Sequence, residues 1–305
     1  MRAGSTPHAL ILPWLPTPAR FRGVLGGLRL HRILSEVFLK RRREGGGRDV
    51  MQRLVDEDVG TTQASVMTIM AILAAHENTS AILAWLVITL LQHQPWLAAV
   101  RAELDAFLTT HHVASPARSR ASPAPAPASS TSFSPPPGTH SLSDIPLSAW
   151  ERALPALDLC LHEVLRLYMN VPLVRRNGGE DAVVAGRTIA RGDYVMYMME
   201  DAHLDARAYP KPESFDPLRE RKGFVAWGAE DVGTHPCAGQ RLARLIIKAF
   251  VATLLWNYDM KLVDARGDPL KEPPQSVMGL FSVPRPDVDV RIRYRERVHG
   301  ARTPT

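Results

Sequence analysis

The sequence predicts a mainly α-helical fold with small β-sheets, on three observations. Apolar residues recur at helical spacing from Leu28 to Phe38, through residues 62 to 93, and from Ala238 to Trp256. Between residues 182 and 199, and again from Val288 to Tyr294, the period falls to two, in runs too short for large sheets. A composition of 45% hydrophobic and 22% charged residues over 305 positions is that of a chain folding around an apolar core.

Residues 17 to 55 read as one or two basic amphipathic helices, with Leu28, Leu30, Ile33, Leu34, Val37 and Phe38 at helical spacing. A net charge of +6 raises nucleic acid or an anionic membrane as partners. The densest basic run, "LKRRREGGGR" at 39–48, is short, broken by glycine and free of interleaved aromatics. It reads as a solvated helix end, and no nucleic acid is expected. Residues 66–92 are apolar over a length that would span a bilayer. His76, Glu77 and Asn78 lie in its middle, where a lipid-facing helix does not leave them. The expectation is a buried core helix and no transmembrane segment.

The brief apolar stretch from Ala9 to Leu15 is interrupted by Pro13, with Pro16 just beyond, and makes a poor signal peptide. Two cysteines, Cys160 and Cys237, cannot build a disulfide framework, so nothing argues for a secreted, stapled fold. Pro95 opens a further helix. Residues 114–138 are rich in Ala, Ser and Pro, the composition of a segment that cannot bury enough apolar surface to order itself. A helix follows from about Pro155 to Tyr168, then the short strands. The organisation expected is helices over 1–110, a low-complexity insert over 111–146, a folded region over 147–298 and a tail over 299–305.

Two clusters carry chemistry. In "LHEVLRL", Glu163 and Arg166 stand three apart on one helix face and can pair. Arg219, in the proline-punctuated "YPKPESFDPLRE", would complete a buried charged triad by folding back onto them, and such a triad is costly unless every member is satisfied. The second cluster is "GTHPCAGQR", 233–241. Pro236 fits just outside a helix start, which puts Cys237 where free N–H groups and the macrodipole favour thiolate over thiol. From the residues alone Cys237 is a reactive thiol, a metal ligand, or a small buried hydrophobe. A zinc site built on His235 and Cys237 lacks two further ligands at any usual spacing.

Taken in order, "AAHENTS" (74–80), "EVLR" (163–166), "PESFDPLR" (212–219) and "GTHPCAG" (233–239) resemble the signature segments of the cytochrome P450 family, the haem-thiolate monooxygenases. The resemblance spans residues 12 to 297 apart from the insert, and implies a partial cytochrome P450 fold. It implies haem b as cofactor, with Cys237 as the iron ligand and Arg176 and His235 holding a haem propionate. Gly233 and Gly239 would let the loop approach the porphyrin. Glu77, Asn78 and Thr79 take the place of the acid and hydroxyl residue that deliver protons to oxygen. Ala74, Ala75, Pro172, Leu173 and Phe281 would line the substrate side.

The activity implied is hydroxylation or epoxidation of a hydrophobic small molecule, a sterol, terpenoid, polyketide or fatty acid, including chemistry of the secondary-metabolite kind. O2 and electrons from NADPH through a separate reductase would be required. Three departures set alternatives beside it. Glu230, Asp231 and Val232 look like an insertion in the cysteine loop, and Asn78 stands where the family generally has Thr. The central helix also begins near residue 62, where family members place it past mid-chain, so an N-terminally truncated fold is expected. The alternatives are a non-catalytic remnant and a reductase-independent haem-thiolate isomerase.

Overall fold

The helical spacing around Leu28 and Phe38 winds into α1 (Pro18–Glu44), followed by α2 (Val50–Asp56) and the long α3 (Thr61–Gln92). The structure, a computed structural model, describes residues 18–113, 142–169, 172–220, 224–229, 236–270, 272–279 and 282–297. Phe281, His235, Gly233, residues 230–232 and nearly all of the low-complexity insert lie outside the described residues. The chain divides into two compact units, Met1–His76 and Glu77–Thr305.

In the first unit, α2 starts where the Asp49 carboxylate accepts the Gln52 N–H at 3.0 Å, a side-chain cap for an otherwise orphaned donor. Phe38, Leu54 and Ala64 form its small core, with Met51, Val55 and Val59 packed around them. The basic end of α1 is held by acids, Arg41 to Asp49 at 2.9 Å and Arg42 to Asp58. Along α3 the expectation of a helix buried throughout is corrected. Val66, Met67 and Ile72 are about half exposed and Met70 more so, whereas Ile82 and Trp85 to Ile88 are buried. A helix that is apolar on every side carries no mark of which stretch finds a partner. By length and composition alone α3 is able to cross a bilayer, with a mean hydropathy of 1.4, but its second half is taken up by protein core.

The second unit gathers α4 (Gln94–Thr110), α5 (Leu147–Arg152), α6 (Pro155–Tyr168), the short α7 (Met199–His203) and α8 (Gln240–Asn257) around one apolar core. Trp85 of α3 stacks on Tyr168 of α6 at 4.0 Å between ring centroids. Its indole N–H donates to the Pro284 carbonyl at 2.7 Å, which satisfies the polar end of a buried aromatic. Among the described residues, eight short strands make four two-stranded antiparallel sheets. The pairs are β1 (Leu173–Arg176) with β4 (Tyr194–Tyr197), and β2 (Ala182–Val184) with β3 (Arg187–Ile189). β5 (Tyr258–Val263) pairs with β8 (Arg291–Glu296), and β6 (Ser276–Gly279) with β7 (Ser282–Pro286).

Candidate functional site

The start of α6 shows why this part of the chain is rigid. Leu154 takes a left-handed conformation (φ 67°), Pro155 follows in the first turn, and neither offers a capping side chain. The cap comes from α4: Glu103 accepts the N–H groups of Ala156 and Leu157 at 2.9 and 3.2 Å. Burial pushes the Glu103 carboxyl above its usual range, against the two backbone bonds that pull it down. One turn on, Asp158 is anchored to the buried Lys248 of α8 at 2.7 Å, and Lys248 also donates to the carbonyls of Trp150 and Ala153.

Further along α6 the three sequence-predicted charges come together. Arg166 makes a two-point contact with Glu163, Nε to Oε2 at 2.9 Å and Nη2 to Oε1 at 2.7 Å. Arg219 reaches back with Nε to the same Oε1 at 3.2 Å, and the Asp216 N–H adds a fourth donor at 3.1 Å. The spare N–H groups of Arg219 end on the carbonyls of Pro210, Lys211 and Ser214, closing the proline-rich turn. Glu163 and Arg166 are buried. Two guanidinium groups to one carboxylate leave a cationic surplus, which the Tyr209 ring face, 5.0 Å from Arg166, partly offsets.

His203 is the residue that sequence reasoning missed. Its carbonyl accepts Arg166 Nη1 at 2.7 Å, and its ring Nε2 accepts the Val225 N–H at 3.1 Å. An accepting Nε2 fixes the neutral ring with the proton on Nδ1. Burial, helped by the Arg166 charge, pushes its pKa down to about 4. The signal in sequence was a lone His in "EDAHLD", with no period or partner to mark it.

From Val225 the backbone runs into a tight turn, Ala226–Ala229. There Trp227 and Gly228 both take left-handed conformations, at φ 61° and 81°. A bulky residue in that region is strained. The Trp227 carbonyl accepts the Cys237 N–H at 2.7 Å, and the Cys237 carbonyl accepts the Gln240 N–H at 3.2 Å. So Cys237 sits in the turn that leads into α8, three residues ahead of the first helical position and slightly further out than the sequence reading placed it.

The two cysteines part company here. Cys160 is a fully buried helix residue whose thiol burial pushes up to about 12. Cys237 is exposed. Gly239 has an ordinary backbone (φ −95°), and a Cβ there would meet no protein atom within 4 Å, so neither conformation nor protein packing demands glycine. Arg176, exposed on β1, makes no ion pair or hydrogen bond among the described residues. Glu77, Asn78 and Thr79 are half-buried on an α3 that is regular α-helix throughout, so the bulge that would bring Thr79 into the place of Asn78 is absent. Ala74 and Ala75 are exposed, Pro172 and Leu173 half-buried. The structure joins Glu163, Arg166 and Arg219 directly; it sets Arg176, Cys237 and the Glu77–Thr79 turn on three separate elements.

Comparison with known proteins bears on this arrangement. The sequence profile described as "Cytochrome P450" matches residues 149–289, the stretch from α5 through β7 that holds the charged triad and the cysteine turn. Cytochrome P450 monooxygenase AacuE of Aspergillus aculeatus is 28% identical, with 93% of this chain and 58% of that protein covered. Cytochrome P450 monooxygenase nsrP of Aspergillus novofumigatus is 27% identical over 88% of this chain and 50% of its own length. Over residues 149–289, somewhat under half of the chain, the similarity is to the cytochrome P450 family. The retinoic acid-bound cyanobacterial CYP120A1 superposes with a TM-score of 0.67 at 21% identity, covering 93% of this chain and 59% of that one, which shows the P450 fold. The chain thus spans about half the length of the P450 relatives it matches.

That similarity implies a haem-iron cofactor, and the residues present fit one. An exposed thiol next to a glycine whose Cβ space is empty leaves a face open to a flat group, and the Arg176 guanidinium on β1, without a side-chain partner among the described residues, is the donor a carboxylate takes.

Proposed function

We propose that the chain is the haem-binding part of a monooxygenase acting on a hydrophobic small molecule, with Cys237 as the proximal iron ligand. The observation that carries this is the pairing of an exposed, backbone-anchored Cys237 with a rigid charged scaffold in a chain similar to the P450 family. Haem held by a thiolate supplies O2 activation and insertion of one oxygen atom into substrate, with electrons from NADPH through a separate reductase.

The chain's own residues hold, orient and protonate. The backbone bond from Cys237 to Trp227 fixes the main chain from which the thiol projects. Arg176, with His235 beside the cysteine, would hold a propionate through charge-assisted hydrogen bonds. Glu77, with the half-buried Asn78 amide after it, would occupy the place of the acid and hydroxyl residue that serve proton delivery on the substrate side. The apolar side chains of Pro172 and Leu173 favour an apolar substrate, with sterols, terpenoids, polyketides and fatty acids as the classes to test. A relative at 26% identity is named a sterol 14alpha-demethylase.

The test is the reduced carbon monoxide spectrum of the haem-loaded 305-residue chain. Wild-type protein is expected to give the red-shifted Soret band of a thiolate-ligated haem, and Cys237→Ala to lose it. A Cys237→Ala variant that keeps the band would overturn the assignment.

A further inference from the structure

A cavity of about 870 Å3 opens in the second unit, lined by residues that belong neither to the triad nor to the cysteine turn. The end of α3 and start of α4 give it Leu91 and Leu97, and β5 gives Met260 and Leu262. Its volume is that of a small-molecule site, with apolar walls and a few convergent charges. Four cations, Arg101, Lys261, Arg293 and Arg295, and two carboxylates, Asp259 and Glu272, line it, a surplus of positive charge.

Three details show that the surplus is not resolved within the protein. Asp259 serves two arginines, Arg101 at 3.2 Å and Arg295 at 3.3 Å. The Arg101 Nε–H is buried with no acceptor, although Nη2 of the same group reaches the Tyr258 carbonyl at 3.1 Å. Burial pulls the Arg101 pKa below its usual value, against the nearby carboxylates of Asp259 and Asp105. Lys261 and Arg293 are register partners across β5 and β8, so two like charges face each other where an opposite pair would stabilise the sheet. The buried Arg101 donor is unfavourable until an acceptor reaches it, while Lys261 and Arg293 are exposed, with Arg293 also donating to the Gly267 carbonyl, and present like charges at the cavity mouth.

We propose that this cavity binds an amphiphilic carboxylate, its alkyl chain along Leu91, Leu97 and Leu262 and its headgroup among Arg101, Lys261 and Arg293. The site is separate from the haem reading and does not depend on it. The carboxylate is preferred to a neutral alcohol because only an anion satisfies the cationic surplus. It is preferred to a naked anion because Leu91, Leu97, Met260 and Leu262 line the cavity beside the charges.

Decanoate and decanol titrated calorimetrically into the full 305-residue chain, below the concentration at which decanoate forms micelles, test the proposal. Decanoate is expected to bind at least tenfold more tightly than decanol, with affinity falling as salt rises. Lys261→Glu pairs with Arg293 across the strands, so it should keep or raise the melting temperature while weakening decanoate at least tenfold. Arg101→Leu should weaken it comparably. The proposal is overturned if decanol binds as well as decanoate, if Lys261→Glu leaves affinity unchanged, or if decanoate does not bind. Because the readout is heat of binding and not a haem spectrum, a failure here leaves the Cys237 assignment standing, and the reverse also holds.

Discussion

Replacing Glu163 with Ala removes the one carboxylate that four donors share: two from Arg166, one from Arg219 and the Asp216 N–H. Arg166 would remain, with a side chain only 3% exposed. Its carbonyl acceptors on His203 and Ser214 satisfy N–H groups but not charge. Breaking a buried pair from one side costs about 3–5 kcal/mol, because the surviving ion stays desolvated. At about 2–4 °C per kcal/mol for a domain of this order of size, the melting temperature should fall by about 6–20 °C. Glu163→Gln keeps the shape and one acceptor oxygen while losing the charge, so it should land between wild type and Ala. Thermal melting followed by circular dichroism, with haem content measured in parallel, gives the answer. A Glu163→Ala chain melting within 2 °C of wild type would show that the triad adds nothing to stability, and the argument from buried charge would fall with it.

Two further outcomes are expected. His203 has a folded pKa of about 4 against 6.5 for a free imidazole. The unfolded chain therefore takes up a proton first as pH falls, so its contribution to stability is full above about 6.5 and declines between there and about 4, by about 3 kcal/mol in total. Urea titrations at stepped pH should show that loss, and a His203→Gln chain should show a flatter profile over the same window. Alkylation with iodoacetamide at pH 8 should label Cys237 and spare Cys160, whose burial and raised pKa keep it a thiol; mass spectrometry showing Cys160 modified in folded protein would contradict the packing around α6.

What was legible in the sequence follows from where its information is local. α6 runs from Pro155 to Tyr168 as the spacing predicts, because a proline at its first turn and an amphipathic repeat mark both ends. The turn chemistry around Gly186 and Gly192 placed β2 and β4 within a few residues, and Glu163 and Arg166 were readable as an i, i+3 pair. The cap on α6 was not readable, because Glu103 supplies it from 53 residues away. His203 was missed for the same reason, since its partners Arg166 and Val225 lie on other elements. The first half of α3 misled because a helix with apolar residues on every side looks the same whether or not it is covered.

The position of Cys237 is a backbone matter more than a side-chain one. A non-glycine residue in the left-handed region is held at a cost of about 1–3 kcal/mol and persists only where its surroundings over-determine it. Trp227 is bracketed on both sides: two residues earlier the Val225 N–H is held by His203, and its own carbonyl is held by the Cys237 N–H. His203 is in turn held through its carbonyl by Arg166, which Glu163 fixes. A hydrogen-bonded path thus runs from the charges on α6 through α7 to the turn that presents the thiol. The buried triad therefore does more than fasten the proline-rich segment to its helix. It is the rigid end of the chain of bonds that keeps Trp227 strained and Cys237 placed, so loosening Glu163 should disturb the thiol's geometry even where the protein still folds.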